Sequence, residues 1–229
     1  MITFRNLAIA GTAAMSLALT QLPAGAAEVL FGTSGAGEDN ASSLYTIDPT
    51  TGVATLVGPL GFNEVVSIDF DPLTGVLYGI SNSVGSAIAG RLITINTATG
   101  AGAVVAPVTG PTITNNSQFS DMSFASDGTL YVWDAFAERL ITINLTTGVA
   151  AEIGPNTLGL NGRTGLDVDS TDTIYLKIGR DSRIYTLDAT TGAETFEVEI
   201  GGSFDNVLAE LAPISTGQPG IALEAWGYP

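Results

Sequence analysis

Leu44-Tyr45-Thr46-Ile47-Asp48-Pro49-Thr50-Thr51-Gly52 returns as Leu92-Ile93-Thr94-Ile95-Asn96-Thr97-Ala98-Thr99-Gly100. It returns again as Leu140-Ile141-Thr142-Ile143-Asn144-Leu145-Thr146-Thr147-Gly148 and as Ile184-Tyr185-Thr186-Leu187-Asp188-Ala189-Thr190-Thr191-Gly192. The closing glycines stand 48, 48 and 44 residues apart, the signature of a repeat architecture. In each copy β-branched and aromatic residues alternate as in a half-buried strand. An Asp or Asn then starts a turn through its own side chain, and glycine supplies the positive φ that ends it. A second strand follows each time: Val53 to Val57, Ala103 to Val108, Val149 to Ile153 and Glu194 to Ile200.

A second hairpin lies between these. Ser67-Ile68-Asp69-Phe70 leads through Asp71 to Gly75 into Val76-Leu77-Tyr78. Its relatives are Asp121 to Tyr131 and Gly165 to Tyr175, with Phe31 in the place of the tyrosines. Each unit is thus four short antiparallel strands, A to D. The repeat starts on a B strand at Val29 and ends on an A-like segment, Leu208 to Pro213, which matches Ser67 to Pro72. That phase shift predicts an all-β, four-bladed β-propeller whose C-terminal strand joins the first blade and so removes free edges. The blades are expected at 27–60, 64–108, 119–155 and 163–201, with a closing strand at 207–213 and a tail at 214–229. Ile221 to Trp226 is a candidate extra strand.

Composition agrees. The chain has 28 glycines, 45% hydrophobic residues, no Cys and no His. Zinc–thiolate sites, Cys nucleophiles and His-based triads are therefore excluded. Arg5, an uncharged run from Leu7 to Leu22 and Ala24-Gly25-Ala26 read as a cleaved signal peptide over residues 1–26, followed by one domain over 27–229. The expected location is secreted or periplasmic, without membrane insertion after cleavage. A formal net charge of −16 predicts repulsion of nucleic acid.

Residues 29–213 resemble a large group of exported bacterial β-propeller repeat proteins, whose units read roughly LYTIDPTTGAATLVG followed by GLAFDPTTGTLYG. The resemblance extends to the quinoprotein-like, NHL-like and lactonase-like propeller superfamily; Asp188, Thr191 and Gly192 look like the Asp-x-x-Thr-Gly of quinoprotein repeats. It implies a propeller fold. The Trp that follows such quinoprotein repeats is missing here, with Phe196 nearby, as are the His and Cys of lactonase-like or quinone-dependent sites.

Candidate site residues follow from repeat position. Arg91, Arg139 and Arg183 each sit just before a C strand, and Arg163 precedes an A strand. With Lys177 and Arg180 they fall on or near the B–C/D–A face, whereas Asp48, Asp71, Asp127, Asp169, Asp172 and Asp188 fall in the opposite turns. An arginine crown would bind a carboxylate, phosphate or acidic glycan; local ion pairing is the competing reading. Trp133 is a candidate sugar-stacking residue if exposed, and a packing residue between blades if not. Asp69, Asp167 and Glu210 share one position of the inner strand, and oxygen-only ligands suit Ca²⁺ or Mg²⁺. The alternative is that each carboxylate accepts backbone N–H bonds and locks adjacent blades. Asp167 to Asp172 is a candidate Ca²⁺ loop or an acidic β-turn. These features suggest a binding or scaffold module for an unknown small molecule, glycan or protein. The alternatives are a metal-dependent hydrolase, lactonase or lyase, and a self-associating surface protein.

Overall fold

The computed structural model describes residues 29–34, 41–82, 89–155, 164–178, 183–199 and 222–225. The first blade holds β1 (Leu30–Ser34), β2 (Ala41–Ile47) and β3 (Ala54–Asn63). The second holds β4 (Val65–Phe70), β5 (Leu77–Asn82), β6 (Gly90–Ile95) and β7 (Gly102–Pro107). The third holds β8 (Phe119–Phe124), β9 (Leu130–Asp134), β10 (Arg139–Ile143) and β11 (Ala150–Pro155). The fourth holds β12 (Thr164–Val168), β13 (Ile174–Ile178), β14 (Arg183–Leu187) and β15 (Glu194–Glu199). The last strand, β16 (Ala222–Ala225), pairs with β1 and completes the first sheet in the order β16-β1-β2-β3. The chain is a four-bladed β-propeller with a C-terminal strand in its first blade.

That strand differs from the expectation in identity and direction. Ala222–Ala225 pairs with β1, and 207–213, the expected closing strand, lies outside the described residues. Strand β16 runs parallel to β1, Phe31 facing Ala222, whereas the blade pairings within 30–199 are antiparallel. Residues 1–26 also lie outside the described residues.

The repeated turn folds as its chemistry dictates. Asp48 Oδ1 accepts the N–H of Thr50 at 2.7 Å and of Thr51 at 3.1 Å, and Gly52 N–H donates to the Asp48 carbonyl at 2.7 Å. Asn96, Asn144 and Asp188 do the same in their blades. Gly52, Gly100, Gly148 and Gly192 all adopt φ near +70° to +77°. The hydrogen bonds hold the carboxyls of Asp48 and Asp188 below the usual range.

The apolar core is divided by blade pair. Leu44 and Leu60 of the first blade pack with Ile68, Leu77 and Ile93 of the second. Ile80 and Leu92 of the second pack with Phe119, Val132 and Ile141 of the third. Trp133 and Leu140 of the third pack with Leu166, Leu176 and Tyr185 of the fourth. Rings bridge the same seams: Phe31 meets Phe70 at 5.8 Å and Tyr78 meets Phe124 at 5.6 Å. Each fully buried side chain of this size contributes about 1.5–3 kcal/mol, so each seam is a hydrophobic interface in its own right.

Candidate functional site

Inner strands β4, β8 and β12 stand side by side around the axis, with β16 beside β4. Strand alternation points every second side chain of an inner strand the same way. Two rows result: Ser67, Asp121 and Gly165 in one, Asp69, Ser123 and Asp167 in the other.

These rows form clamps between blades. Asp69 Oδ1 accepts its neighbour Phe70 N–H at 2.7 Å, and Oδ2 accepts Phe124 N–H of the next blade at 2.9 Å. Asp121 Oδ1 accepts Met122 N–H at 2.8 Å, and Oδ2 accepts Leu166 N–H of the next blade at 2.6 Å. Ser67 Oγ accepts Met122 N–H at 3.1 Å, and Ser123 Oγ accepts Val168 N–H at 3.2 Å. Inner strands of neighbouring blades share no sheet, so side-chain acceptors satisfy the backbone donors that face the axis.

Asp167 completes only half of the pattern. Its Oδ1 accepts Val168 N–H at 2.8 Å, while Oδ2 is buried and has no partner. Ser123 Oγ lies 3.3 Å from both Asp69 Oδ2 and Asp167 Oδ1. One hydroxyl carries one proton, so it cannot donate to both carboxylates at once. Burial pushes the carboxyls up: Asp69 to about 6 and Asp121 to about 7. Asp167 rises to about 8, through burial first and then the charge of Asp69. Burial and mutual repulsion therefore oppose ionising all three together.

The structure thus joins Asp69 and Asp167 through Ser123; Glu210 lies outside the described residues. No group of three or more acids able to hold a metal occurs among the described residues. Asp121, which the sequence reading passed over, is as central as either. The signal was the alternation itself, since Asp121 stands two residues from Ser123 on the same strand. Of the other acids of 167–172, one serves its own turn and one ties that turn to the third blade. Asp169 Oδ1 accepts from Thr171 and Thr173 N–H, and Asp172 takes both Ser126 N–H and its hydroxyl at 2.7 Å.

The basic residues divide. Arg139 is a structural anchor: Nη2 reaches Asp134 Oδ2 at 2.9 Å and Thr112 O at 2.6 Å, and Nη1 reaches Glu152 at 3.2 Å. Asp134 is wholly buried and also accepts Gln118 and Ala137 N–H. Arg183 is exposed and lies 5.6 Å from the Tyr185 ring centre, Arg91 is half-buried, and Arg163 and Arg180 lie outside the described residues. Lys177 is buried at the repeat position of Ile80 and Trp133. Trp133, a sugar-stacking candidate if exposed and a packing residue if not, is 2% exposed within the core between the third and fourth blades and so packs. Among the described residues two phenylalanines face solvent, Phe196 on β15 at 54% and Phe136 at 59%, the latter in the β9–β10 loop of the B–C/D–A face.

No protein-family model matches the chain, and no curated protein matches it. Solved structures do. A chain of the nidogen/laminin complex is similar with a TM-score of 0.53 and 13% identity, over 75% of this chain and 61% of that one. An auxiliary nutrient binding protein from Bacteroides ovatus is similar with a TM-score of 0.51 and 12% identity, over 72% and 39%. A protein of unknown function from Bacteroides thetaiotaomicron gives 0.50 and 16%, over 74% and 43%. The chain thus spans less than two thirds of the length of each. At such identities the likeness concerns the fold, and it places this chain among the β-propeller proteins.

Proposed function

We propose that the chain is a non-catalytic binding or scaffold module, secreted or periplasmic, that meets a small molecule, glycan or protein on its B–C/D–A loop face. The observation that carries this reading is how the axial acids are used. Asp69 and Asp121 each engage both oxygens with backbone N–H groups and so hold blades together. The loop face, by contrast, offers the exposed ring of Phe136 and, in the fourth blade, the exposed side chain of Arg183. An aromatic and a guanidinium on one face suit a sugar or a carboxylate-bearing ligand.

The test is the thermal midpoint of the purified protein against a panel of acidic glycans, carboxylates and Ca²⁺. A ligand that binds only the folded state raises it by mass action. An acidic glycan or carboxylate is expected to raise it, and Phe136→Ala to abolish the rise while moving unliganded stability by less than about 0.5 kcal/mol. A rise with Ca²⁺ alone, lost in Asp167→Asn, would instead support a metal at the axis. One observation favours an enzymatic second reading. Asp167 is the axial acid with an unpartnered oxygen and, at neutral pH, a proton to give. Turnover of a lactone or ester that vanishes in Asp167→Asn would establish it.

A further inference from the structure

The connection between β7 and β8 is unlike its counterpart between β3 and β4. There a single residue, Glu64, carries the chain from the first blade to the second. Residues 108–118 take a longer path over the B–C/D–A face with no strand among them, and loops of this kind carry function when a rigid frame positions them. This one is pinned along its length. Thr109 N–H donates to the Gly148 carbonyl at 3.1 Å, and the Thr109 carbonyl accepts Ala150 N–H at 2.6 Å. Arg139 Nη2 donates to the Thr112 carbonyl at 2.6 Å and to Ser117 Oγ at 3.5 Å. Ser117 N–H donates to the Thr114 carbonyl at 3.0 Å, and Thr114 N–H donates back to Ser117 Oγ at 3.2 Å.

The connection is also tied to the turn that carries Phe136. Asp134 Oδ1 accepts Gln118 N–H at 3.1 Å and Ala137 N–H at 3.3 Å, so one buried oxygen joins the two segments. Ala135 N–H closes the junction on the Gln118 carbonyl at 2.8 Å. Backbone groups thus hold this platform together, and its outer side chains are left over. Asn115, Asn116 and Gln118 are exposed, and their carboxamides have no hydrogen-bond partner among the described residues. Asn82, in the second blade, shows the contrasting use of an amide. Its Nδ2 donates to the Phe119 carbonyl at 2.9 Å, and its Oδ1 accepts Phe119 N–H at 3.1 Å.

The chemistry on offer is polar but uncharged. Arg139 is paired with Asp134 and Glu152, Asp134 is wholly buried, and Glu138 is half-buried. A carboxylate ligand prefers an open guanidinium, and a metal cation prefers several carboxylate oxygens. A carboxamide instead sets a donor beside an acceptor, which matches neighbouring hydroxyls that each donate and accept. An aromatic ring receives the apolar face of a sugar. We propose that the 111–118 connection and Phe136 bind an uncharged sugar unit of a glycan, its ring on Phe136 and its hydroxyls on the amides of Asn116 and Gln118. This assignment rests on the binding-module reading and gives the platform the neutral part of the ligand, an acidic group falling to Arg183. Because the backbone is already fixed, binding orders only a few side chains.

The test presents the full purified chain to an array of neutral oligosaccharides of glucose, mannose, galactose and xylose, oligogalacturonate, and extended peptides. Affinities of whatever binds are then measured by calorimetry. At least one neutral oligosaccharide should bind. Asn116→Ala and Gln118→Ala should each weaken it by about two- to tenfold, the worth of one hydrogen bond, and Phe136→Ala should abolish it. Thr97→Ala, exposed in a turn on the opposite face, should leave it unchanged. All four side chains are exposed, so unliganded thermal midpoints should match the parent and separate lost binding from lost folding. Glycan binding that ignores both Asn116→Ala and Gln118→Ala overturns the assignment and leaves the binding-module reading standing. Binding of peptides and of no sugar overturns it in the same way. An array on which nothing binds overturns both.

Discussion

Asp167 and Asp121 hold equivalent chemistry in unequal settings, and isosteric amides distinguish them. An amide replaces one acceptor oxygen with a donor. Both oxygens of Asp121 face N–H donors, Met122 on one side and Leu166 on the other. Whichever way the amide of Asp121→Asn turns, a donor meets a donor, and an unmade buried hydrogen bond costs about 1–3 kcal/mol. Asp167 Oδ2 faces no donor, and Ser123 lies beside Oδ1 only. Asp167→Asn therefore keeps the Val168 bond and removes a charge that burial disfavours. Urea unfolding at pH 8 should show Asp121→Asn less stable than the parent and Asp167→Asn equal to it or more stable. Of these groups Asp69 and Asp167 were legible as a repeat position. Asp121 was not, because Ser and Asp exchange rows between blades and a position-by-position comparison sees only one row. For Trp133 the residues left both readings open, because its acidic neighbour Asp134 reads as surface, whereas that acid is buried in its ion pair with Arg139.

At the scale of elements, two kinds of glycine separate. Gly75 ends its turn at φ +69° with open space around it, so Gly75→Ala meets only backbone strain, about 1 kcal/mol. Gly154 has no positive φ, but a methyl there collides with the backbone of the next blade. Backbone cannot move aside as a side chain can, and overpacking of this kind costs about 1–3 kcal/mol. Gly154→Ala should therefore lower the urea midpoint more than Gly75→Ala does, and a smaller loss would mean the blades slide apart freely. The strands and turns were legible because alternation and Asx-turn chemistry are local. The partner of β1 was not. Leu208 to Pro213 matches the inner-strand pattern, yet Ala222–Ala225 pairs with β1, because parallel pairing to β1 is a long-range choice that no local pattern encodes.

The axis holds its acids against their charge, and this gives the stability of the whole molecule a direction in pH. Asp69, Asp121 and Asp167 titrate near 6, 7 and 8 when folded, against 3.8 when unfolded. Between pH 4 and the folded values the native state binds more protons than the unfolded chain. Stability therefore falls as pH rises through that window, the reverse of a protein whose carboxylates are salt-bridged. Each extra bound proton contributes a slope of about 1.4 kcal/mol per pH unit. The formal charge of −16 acts in the same sense, since self-repulsion grows as the remaining acids ionise. The two sources separate by substitution. Asp167→Asn removes only one formal charge but deletes the group that titrates highest, so it should flatten the decline across the whole window from pH 5 to 8. A surface acid such as Asp127, whose carboxyl the hydroxyl and N–H of Thr129 hold below the usual range, is already ionised in that window. Asp127→Asn should then shift the curve without changing its slope there. Thermal midpoints at pH 5, 6, 7 and 8 for the three proteins decide it. A midpoint that rises from pH 5 to 8 would mean that the axial acids are already ionised in the fold.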